Sequence, residues 1–339
     1  MLQQETVINT SIVVSSACFT KLNLDKKLTD EQIFEWLIGF INAEGNFYIR
    51  KFSNRPYAIE FRFRIGLHYY DTKVLVKIKT KNNLDIGSIT PFAALAFSKW
   101  KANKITNKND KALRLEQKSS FIIYKQEDVN KLIAILDKYG PLNTTKYLDF
   151  LSWKKAFLLY ISSKEKSIIE KEIIKSEILT LKNNNNRGRT DFARGTNHNI
   201  VIKPYWLLGF IEGEGCFSIQ KHAKYLTINY SFILTQTIEQ KPVMVAIQTF
   251  LNNLEPSSDT KVKLIVQENN IYIKKAKPTI RVYVTDYSFI TIYLIPFLDR
   301  LVFSSIKELD YLDWKSVIKI KALKKHLTEE GSEVIKLII

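Results

Sequence analysis

Leu37-Ile38-Gly39-Phe40-Ile41-Asn42-Ala43-Glu44-Gly45 has a second copy in this chain, Leu207-Leu208-Gly209-Phe210-Ile211-Glu212-Gly213-Glu214-Gly215. Each copy follows a tryptophan and leads into an apolar-rich segment that starts at Phe47 or Phe217. The two copies stand half a chain apart in a sequence of 339 residues. The repeat therefore predicts two similar halves, each of which brings one glutamate to one shared place.

Small residues recur at the same spacing inside both copies. Gly39 and Ala43 are four positions apart, as are Gly209 and Gly213, and residues with that spacing share one side of a helix. Small side chains there let two helix backbones approach closely, which would compensate the roughly 1 kcal/mol that a helical glycine loses against alanine. The pattern predicts a close pair of motif helices, although two separate core helices would also fit it. Four aromatic residues would seal the flanks of the pair: Trp36, Phe40, Trp206 and Phe210.

The two glutamates come where each motif helix should end. Gly45 and Gly215 are expected to adopt the left-handed conformation that commonly closes a helix. Glu44 and Glu214 then lie at the negative end of a helix dipole, and pairing the helices brings both acids together with the terminal carbonyls. Such a group repels itself unless a cation lies between its members. Because every ligand is an oxygen, the pattern favours Mg²⁺ or another hard divalent cation such as Mn²⁺ or Ca²⁺ over zinc.

Strand and helix patterns follow each motif. Apolar residues alternate with polar or charged ones from Glu60 to Leu67, and the same alternation runs from Thr227 to Leu234. A period of two with one apolar face indicates half-buried antiparallel strands. Helical patterns come next in two pairs that the halves share: Val74–Ile78 with Val243–Ile247, and Thr145–Lys154 with Ile306–Lys315. Each half is thus predicted to run helix, strands, helix, strands, helix, which is an α+β arrangement with helices on one face of each sheet.

The composition indicates a polyanionic partner. A formal net charge of +17 at pH 7 favours nucleic acid before other partners, and an ordinary basic protein with a solvated sheet face is the alternative. Two cysteines do not make a disulfide framework. Four histidines without ligand spacing argue against a zinc site. The apolar runs of the sequence are far too short for a membrane span.

We expect four segments along the chain: a poorly ordered lead-in at residues 1–30, a first domain at 31–164, a linker at 165–203 and a second domain at 204–339. The lead-in does not resemble a signal peptide, and the first arginine, Arg50, comes too late for an Arg-rich transit peptide. Residues 165–182 have helical periodicity. Asn183–Arg189 is predicted to be a flexible basic linker that spans the halves or touches phosphate.

An oxygen-lined divalent site beside a basic sheet surface fits phosphodiester hydrolysis, because the ion would activate water and stabilise charge on the phosphate. Lys146 and Lys307 are duplicated, and each precedes a helix that contains an aspartate and a tryptophan. Both are candidates for electrostatic assistance, and the alternative is that they cap a loop. The sequence offers no Ser-His-Asp nucleophile or P-loop that would compete for the chemistry.

In these paired motifs the chain resembles the monomeric, two-repeat LAGLIDADG homing endonucleases, particularly those encoded by introns of fungal mitochondria. The resemblance covers about residues 31–160 and 203–330. It implies a pseudo-twofold pair of αββαββα domains, with the motif helices at the interface and two antiparallel sheets that form a saddle over DNA. It also implies a monomer in the mitochondrion.

The resemblance further implies a set of catalytic positions. The implied metal ligands are the carboxylates of Glu44 and Glu214 and the carbonyls of Ala43 and Gly213. The basic-pocket lysines of the family match Lys146 and Lys307. A glutamine often found at the end of the second strand matches Gln236, whose first-half counterpart is Leu67. Asn42 stands where the family's name has an aspartate, at a position that is not the metal ligand.

By the same match, alternate strand residues would face DNA. In the first half they are Asn46, Tyr48, Arg50, Glu60, Arg62, Arg64, Lys118, Ser120 and Tyr124. In the second half they are Ser218, Gln220, His222, Thr227, Asn229, Ser231, Thr235, Arg281, Tyr283 and Thr285. Arginine and glutamine would read base edges in the major groove, whereas lysine would mostly contact phosphate.

The function that this implies is a site-specific endonuclease for double-stranded DNA. It would bind a long pseudo-palindromic target and cut across the minor groove, one strand under each glutamate. One alternative is an RNA maturase that binds its host intron RNA, with or without cleavage activity. Another is a DNA-binding regulator that has lost catalysis, which retention of both acids disfavours.

Overall fold

The computed structural model describes residues 28–55, 57–80, 85–90, 118–195, 198–222, 227–255, 261–267 and 277–338. The lead-in expected at residues 1–30 lies almost entirely outside these ranges. The first half contains α1 (Asp30–Glu44), β1 (Gly45–Lys51), β2 (Ile59–His68), α2 (Thr72–Thr80), β3 (Ser88–Thr90), β4 (Lys118–Ile123), α3 (Gln126–Tyr139) and α4 (Lys146–Ser162).

The second half repeats this order after a connecting helix, α5 (Ile168–Asn183). Its elements are α6 (Pro204–Glu214), β5 (Gly215–His222), β6 (Thr227–Thr237), α7 (Lys241–Asn252), β7 (Lys263–Gln267), β8 (Thr279–Val284), α8 (Tyr287–Phe289), a π-helical turn (Ile290–Leu294), α9 (Ile295–Asp299), α10 (Lys307–Ala322) and α11 (Glu329–Ile338). The predicted α+β class and the αββαββα order are confirmed. Each half adds a helix that the sequence pattern had not separated, because α3 and the α8–α9 stretch precede the shared closing helices α4 and α10.

Each half builds one four-stranded antiparallel sheet. The strand orders are β1-β2-β4-β3 and β5-β6-β8-β7. Gly45 pairs with Ile65 and Gly215 pairs with Leu234, so both sheets begin in the same register relative to their motif. Alternation along β2 leaves Phe61 and Ile65 buried under the helices and Arg64 exposed on the other face. The predicted period of two therefore gives each sheet one apolar face and one polar face.

The apolar faces carry the closing helices. The Phe47 ring on β1 lies 5.4 Å from the indole of Trp153 on α4, and the Phe217 ring on β5 lies 5.3 Å from the indole of Trp314 on α10. Both tryptophans are fully buried. These matched contacts fix each closing helix, and the lysine at its first residue, relative to the strand that leaves the motif.

The two motif helices touch through their backbones. A Cβ added to Gly39 would lie 2.0 Å from the carbonyl oxygen of Trp206, and one added to Gly209 would lie 2.2 Å from that of Trp36. One added to Gly213 would lie 2.4 Å from the Ala43 methyl. The predicted close pairing of α1 with α6 is therefore present, and it is reciprocal, as expected for a pseudo-twofold contact. The flanking aromatic residues stack within each helix, Trp36 on Phe40 and Trp206 on Phe210.

The glycines that end the motifs differ from expectation. Gly45 has φ −68° and Gly215 has φ −74°, so both are extended and the expected left-handed conformation was wrong. The strand begins at once, which leaves no room for a closing turn. A Cβ at Gly45 would lie 2.7 Å from the Ile41 carbonyl oxygen and 3.1 Å from the Phe63 ring. Glycine is required there by crowding rather than by a positive φ.

The connection between the halves is more structured than expected. The helical periodicity of residues 165–182 is confirmed by α5. Asn183–Arg189, expected to be flexible, contains a 3₁₀ turn (Asn186–Gly188) that is hydrogen-bonded to the first half. None of the helices in the described ranges is long and apolar enough to cross a membrane.

Candidate active site and nucleic-acid interface

Glu44 and Glu214 end the two paired helices and are both half-buried. The helix contact brings these ends together, because the Cβ position of Gly213 would lie 3.3 Å from Cγ of Glu44 and 3.4 Å from its Oε1. Burial raises the pKa of the Glu44 carboxyl; the positive charge of Lys146 opposes this, and the negative charge of Glu214 adds to it. Each acid thus lies within the electrostatic field of the other.

Lys146 lies beneath the end of the first motif helix. Its ammonium donates to the carbonyl oxygen of Ala43 and, at 3.5 Å, to that of Ile41. Burial lowers the pKa of Lys146 to about 8, and the charges of Glu214 and Glu44 counteract part of that shift. This lysine is the first residue of α4, so the packing of α4 on β1 determines where its ammonium lies.

Lys307, the counterpart of Lys146 on α10, makes a different contact. Its Nζ lies 2.9 Å from Oδ2 of Asp310, one turn along the same helix. In the first half the equivalent acid, Asp149, is already occupied, because its Oδ1 accepts from Arg189 Nε at 2.9 Å and from the Asn186 N–H at 3.0 Å. The two lysines predicted as a symmetric pair therefore differ: one faces the motif carbonyls and the other faces an acid on its own helix.

The sixth motif position, Asn42 or Glu212, holds the loop that leads to each lysine. Oδ1 of buried Asn42 accepts from the N–H and the hydroxyl of Thr144, both at 2.8 Å. The Glu212 carboxylate is equally buried and accepts from the backbone N–H groups of Ser304 and Ser305. Burial raises the pKa of Glu212 to about 7. No role for Asn42 or Glu212 was predicted from the sequence. A polar side chain inside an otherwise apolar motif helix was the signal that could have indicated one.

The donors at the helix ends fit a hard divalent cation. Within the described part of the chain no cluster of three or more His, Cys, Asp or Glu residues could hold a metal, so any ion would rely on two carboxylates and on carbonyl oxygens. Glu44 and Glu214 supply two like charges that a cation would relieve. The carbonyl of Gly213 could join them, whereas that of Ala43 accepts from Lys146. An incomplete set of oxygen ligands suits Mg²⁺, which commonly retains water or phosphate ligands.

The residues predicted to face DNA in the first half share the polar face of the first sheet. Asn46, Arg50, Arg64, Lys118 and Tyr124 are exposed, Tyr48, Glu60 and Arg62 are half-buried, and Ser120 is buried. Several of them contact one another: Arg64 Nη2 donates to Ser120 Oγ at 2.7 Å, and Arg62 lies 2.5 Å from a Glu60 oxygen and over the ring of Tyr48. A ligand would have to share or break these contacts.

The second sheet presents the corresponding set. Gln220, Thr227, Asn229 and Thr285 are exposed, Ser218, Thr235, Arg281 and Tyr283 are half-buried, and Ser231 is buried. His222 ends β5 and pairs with Thr227. Gln236 differs, because it has the same parity along β6 as buried Leu234 and is itself half-buried. It does not belong to the face that carries the other positions.

One wall of the site comes from the connection between the halves. Lys182, Asn186 and Arg187 line an open cavity of about 730 Å³ together with Glu44 and Arg64. Glu44 also lines a second cavity, of about 270 Å³, together with Gly213, Lys307, Asp310, Asp71, His68 and Lys118. Glu44 therefore lines both cavities, one shared with the linker and one shared with Lys307 and Asp310 of the second closing helix.

Comparison with known proteins agrees with this architecture. The family model described as LAGLIDADG endonuclease matches residues 37–157 and 207–318. A probable intron-encoded endonuclease, Cox1-I1b of Schizosaccharomyces pombe, is 30% identical over 238 residues, which cover 68% of this chain and 52% of that protein. Probable intron-encoded endonuclease 3 of Neurospora crassa is 26% identical, covering 89% of this chain and 52% of its own length. An uncharacterized mitochondrial protein of Saccharomyces cerevisiae, RF1, is 25% identical over 94% of this chain and 61% of its own length.

Solved structures share the fold. The LAGLIDADG homing endonuclease I-GzeII, in complex with a DNA target, superimposes with a TM-score of 0.70 at 23% identity, covering 90% of this chain and 96% of that one. I-SmaMI bound to cleaved DNA gives 0.69 at 24% identity, with 92% and 96% covered. The chain spans between 52% and 61% of the length of the curated relatives named above. Because the family model covers both motifs and most of both closing helices, the chain belongs to the LAGLIDADG endonuclease family.

Proposed function

We propose that this protein is a site-specific endonuclease that cuts both strands of a DNA duplex. The observation that carries the proposal is the meeting of Glu44 and Glu214 at the ends of two helices in backbone contact, with the buried ammonium of Lys146 beside them. Two carboxylates and a lysine in that arrangement suit phosphodiester hydrolysis. The polar sheet faces and the net charge of +17 suit a duplex as the substrate.

A divalent cation would be held by the carboxylates of Glu44 and Glu214, with the Gly213 carbonyl as a further ligand. When bound, such an ion supplies Lewis-acid chemistry that activates water and neutralises charge on the scissile phosphate. Mg²⁺ is the ion we propose, with Mn²⁺ as a functional substitute and Ca²⁺ as an occupant of the same ligands. One glutamate would serve each strand, so that the two cuts lie across the minor groove.

The Nζ atom of Lys146 would both supply a positive charge to the site and exchange a proton there. With a pKa of about 8, this ammonium is mostly charged at neutral pH and places a positive charge against the glutamates and the phosphate. It can also give up a proton at modest cost, because its pKa is close to physiological pH. Lys307 would have the same role for the other strand once its contact with Asp310 is released.

The biological setting that fits is intron homing in the mitochondrion. The Neurospora and fission-yeast relatives are described as intron-encoded endonucleases and the Saccharomyces relative as mitochondrial. The target would be a long, imperfectly palindromic duplex read by one sheet per half-site. We propose that a single chain suffices, since both glutamates come from the same molecule.

The test is cleavage of a plasmid library that contains the intron-insertion site, in Mg²⁺. We expect Glu44→Gln and Glu214→Gln each to lower double-strand cleavage by about 100-fold or more while target binding persists. The matched control is Glu333→Gln, the same change at an exposed residue of α11, which should cut normally. Undiminished double-strand cleavage by either motif variant would remove the proposed mechanism.

The same preparation separates the maturase alternative from the endonuclease. Binding to the host intron RNA is measured beside binding to the duplex target. A protein that binds the RNA tightly and leaves the insertion site uncut with both glutamates intact would be a maturase, and the endonuclease proposal would fail.

A further inference from the structure

The connection between the halves closes the open edge of the first sheet. β1 is an edge strand, and its Phe47 carbonyl oxygen accepts from Nδ2 of Asn186 at 2.6 Å and from Nδ2 of Asn185 at 3.3 Å. Asn185 is only 5% exposed. Edge strands carry unpaired backbone groups that proteins commonly cover, and here two consecutive asparagine side chains cover one of them.

A second contact anchors the same segment to α4. Arg189 bonds Asp149 at 2.9 Å and Ser152 Oγ at 3.1 Å, and the Asp149 carboxylate also accepts from the Asn186 N–H. Both partners of the Arg189–Asp149 ion pair are 11% exposed. A largely buried ion pair with an additional hydrogen bond is costly to break. The segment from Lys182 to Gly188 is therefore held in a defined place beside β1.

That place is the rim of the candidate active site. Lys182 and Arg187 line the cavity of about 730 Å³ that is also lined by Arg64, Lys118 and Glu44. Arg187 is exposed and Lys182 half-buried. Four basic side chains and one carboxylate in the wall of a single open cavity create a positive potential that favours a polyanion.

We propose that residues 182–188, here called the linker clamp, bind the phosphate backbone of the duplex next to Glu44. Lys182 and Arg187 would contact phosphates outside the surface that the two sheets provide. The clamp rests on the proposed endonuclease function and extends its DNA interface to an element that belongs to neither sheet. Because the chain has one such connection, the clamp acts on one half-site and makes the grip on the target asymmetric.

The test measures the salt dependence of duplex binding. The full chain carries Glu44→Gln and Glu214→Gln so that the selected target stays intact, and fluorescence anisotropy is recorded from 0.05 to 0.2 M salt. Adding Lys182→Ala and Arg187→Ala should lower the slope of log affinity against log salt by about 2, one unit for each lost phosphate contact. Arg187→Lys in place of Arg187→Ala should restore about one unit of the slope, because lysine keeps the positive charge.

The matched control removes two other positive charges, Lys155→Ala and Lys171→Ala. These residues lie on α4 and α5 and do not line the cavity of about 730 Å³. Changing the clamp residues should also remove the phosphate-ethylation interference signal from one half-site and leave the signal on the other half-site unchanged. If the clamp and control variants had equal slopes of log affinity against log salt, the clamp proposal would be wrong. A parent protein that binds no duplex in any library would instead refute the endonuclease proposal, so the two failures are distinguishable.

Discussion

At the residue scale, the sixth motif position shows how far the two halves have diverged. Glu212 accepts from the Trp36 indole N–H at 2.8 Å across the helix interface, in addition to holding its own loop. Asn42 directs its amide to the Ile38 carbonyl instead, and the Trp206 indole N–H has no partner among the described residues. One hydrogen bond thus crosses the pseudo-twofold contact without its mirror image, and the repeat is equivalent in backbone but not in polar contacts.

The two lysines lead to a kinetic prediction. Asp310→Asn should weaken the ion pair that holds Lys307 on its own helix, leaving its ammonium free to approach the nearby motif end as Lys146 does. In wild-type protein the two strands should be cut at unequal rates, so nicked plasmid should accumulate before linear product. We expect the variant to shorten the lifetime of the nicked form several-fold, as measured on supercoiled target plasmid.

Asp313→Asn is the control for that experiment. It makes the same change one turn along α10, at an exposed residue that does not pair with Lys307. A nicked intermediate whose lifetime is equal in wild-type protein and both variants would show that the Lys307–Asp310 contact does not limit the second cut.

At the scale of elements, the contact between α1 and α6 depends on main-chain approach. A methyl group on Gly39 would lie 2.0 Å from a backbone oxygen of the partner helix, which no rotamer change can relieve. We therefore expect Gly39→Ala to lower the free energy of unfolding by about 1–3 kcal/mol through overpacking, despite a gain of up to about 1 kcal/mol in helix propensity. Urea denaturation would measure it.

Gly66→Ala on β2 is the matched stability control, because its new Cβ would lie 3.6 Å from its nearest neighbour, an atom of the Arg64 side chain. This is an ordinary contact, so the denaturation midpoint should hold or rise. If Gly39→Ala behaved in the same way, the close helix pair would not be a determinant of stability.

Elements with local signals could be predicted from the sequence, and those that depend on distant partners could not. The motif helices, β2, β6, α2, α7 and the closing helices all have periodic apolar residues and copies in the other half. The 3₁₀ turn after α5 has neither signal, because it is held by Asp149 and by a carbonyl of Phe47, far away in the chain. The helix α3 had a signal, with buried Val129, Leu132, Ile133 and Leu136, but it has no copy of similar sequence in the second half.

The same distinction between local signals and distant partners applies to the candidate site. The duplicated motif predicted that Glu44 and Glu214 would meet, because pairing two equivalent helices brings their ends together. The different contacts of Lys146 and Lys307 could not be predicted from equivalent sequences. They depend on whether a third group, Arg189 of the linker, already occupies the neighbouring aspartate.

At the scale of the whole molecule, the proposed cation site between the glutamates predicts a metal-dependent stability. A cation that binds the folded state alone raises the free energy of unfolding by about 2.7 kcal/mol at 100 times its Kd. We expect Mg²⁺ to raise the melting temperature of wild-type protein, and EDTA to abolish cleavage while leaving the fold intact. Glu44→Gln and Glu214→Gln should each reduce the Mg²⁺-dependent shift, since each removes one charged ligand.

Thermal unfolding followed by circular dichroism, with and without Mg²⁺, measures this effect. Glu333→Gln should keep the full shift, because its carboxylate lies on α11 and pairs with Lys336. Equal Mg²⁺-dependent shifts in wild-type protein and both motif variants would place the cation elsewhere.

The backbone contact between the motif helices also bears on how such a protein can change over generations. Because the helices meet through glycines and backbone carbonyls, their contact depends little on side chains elsewhere. Mutations on either sheet can therefore accumulate without changing the interface between the halves. Under the proposed function, each half would then be free to acquire its own base preferences while Glu44 and Glu214 stay together. A duplicated ancestor with one symmetric target could in this way give rise to descendants that recognise two unlike half-sites.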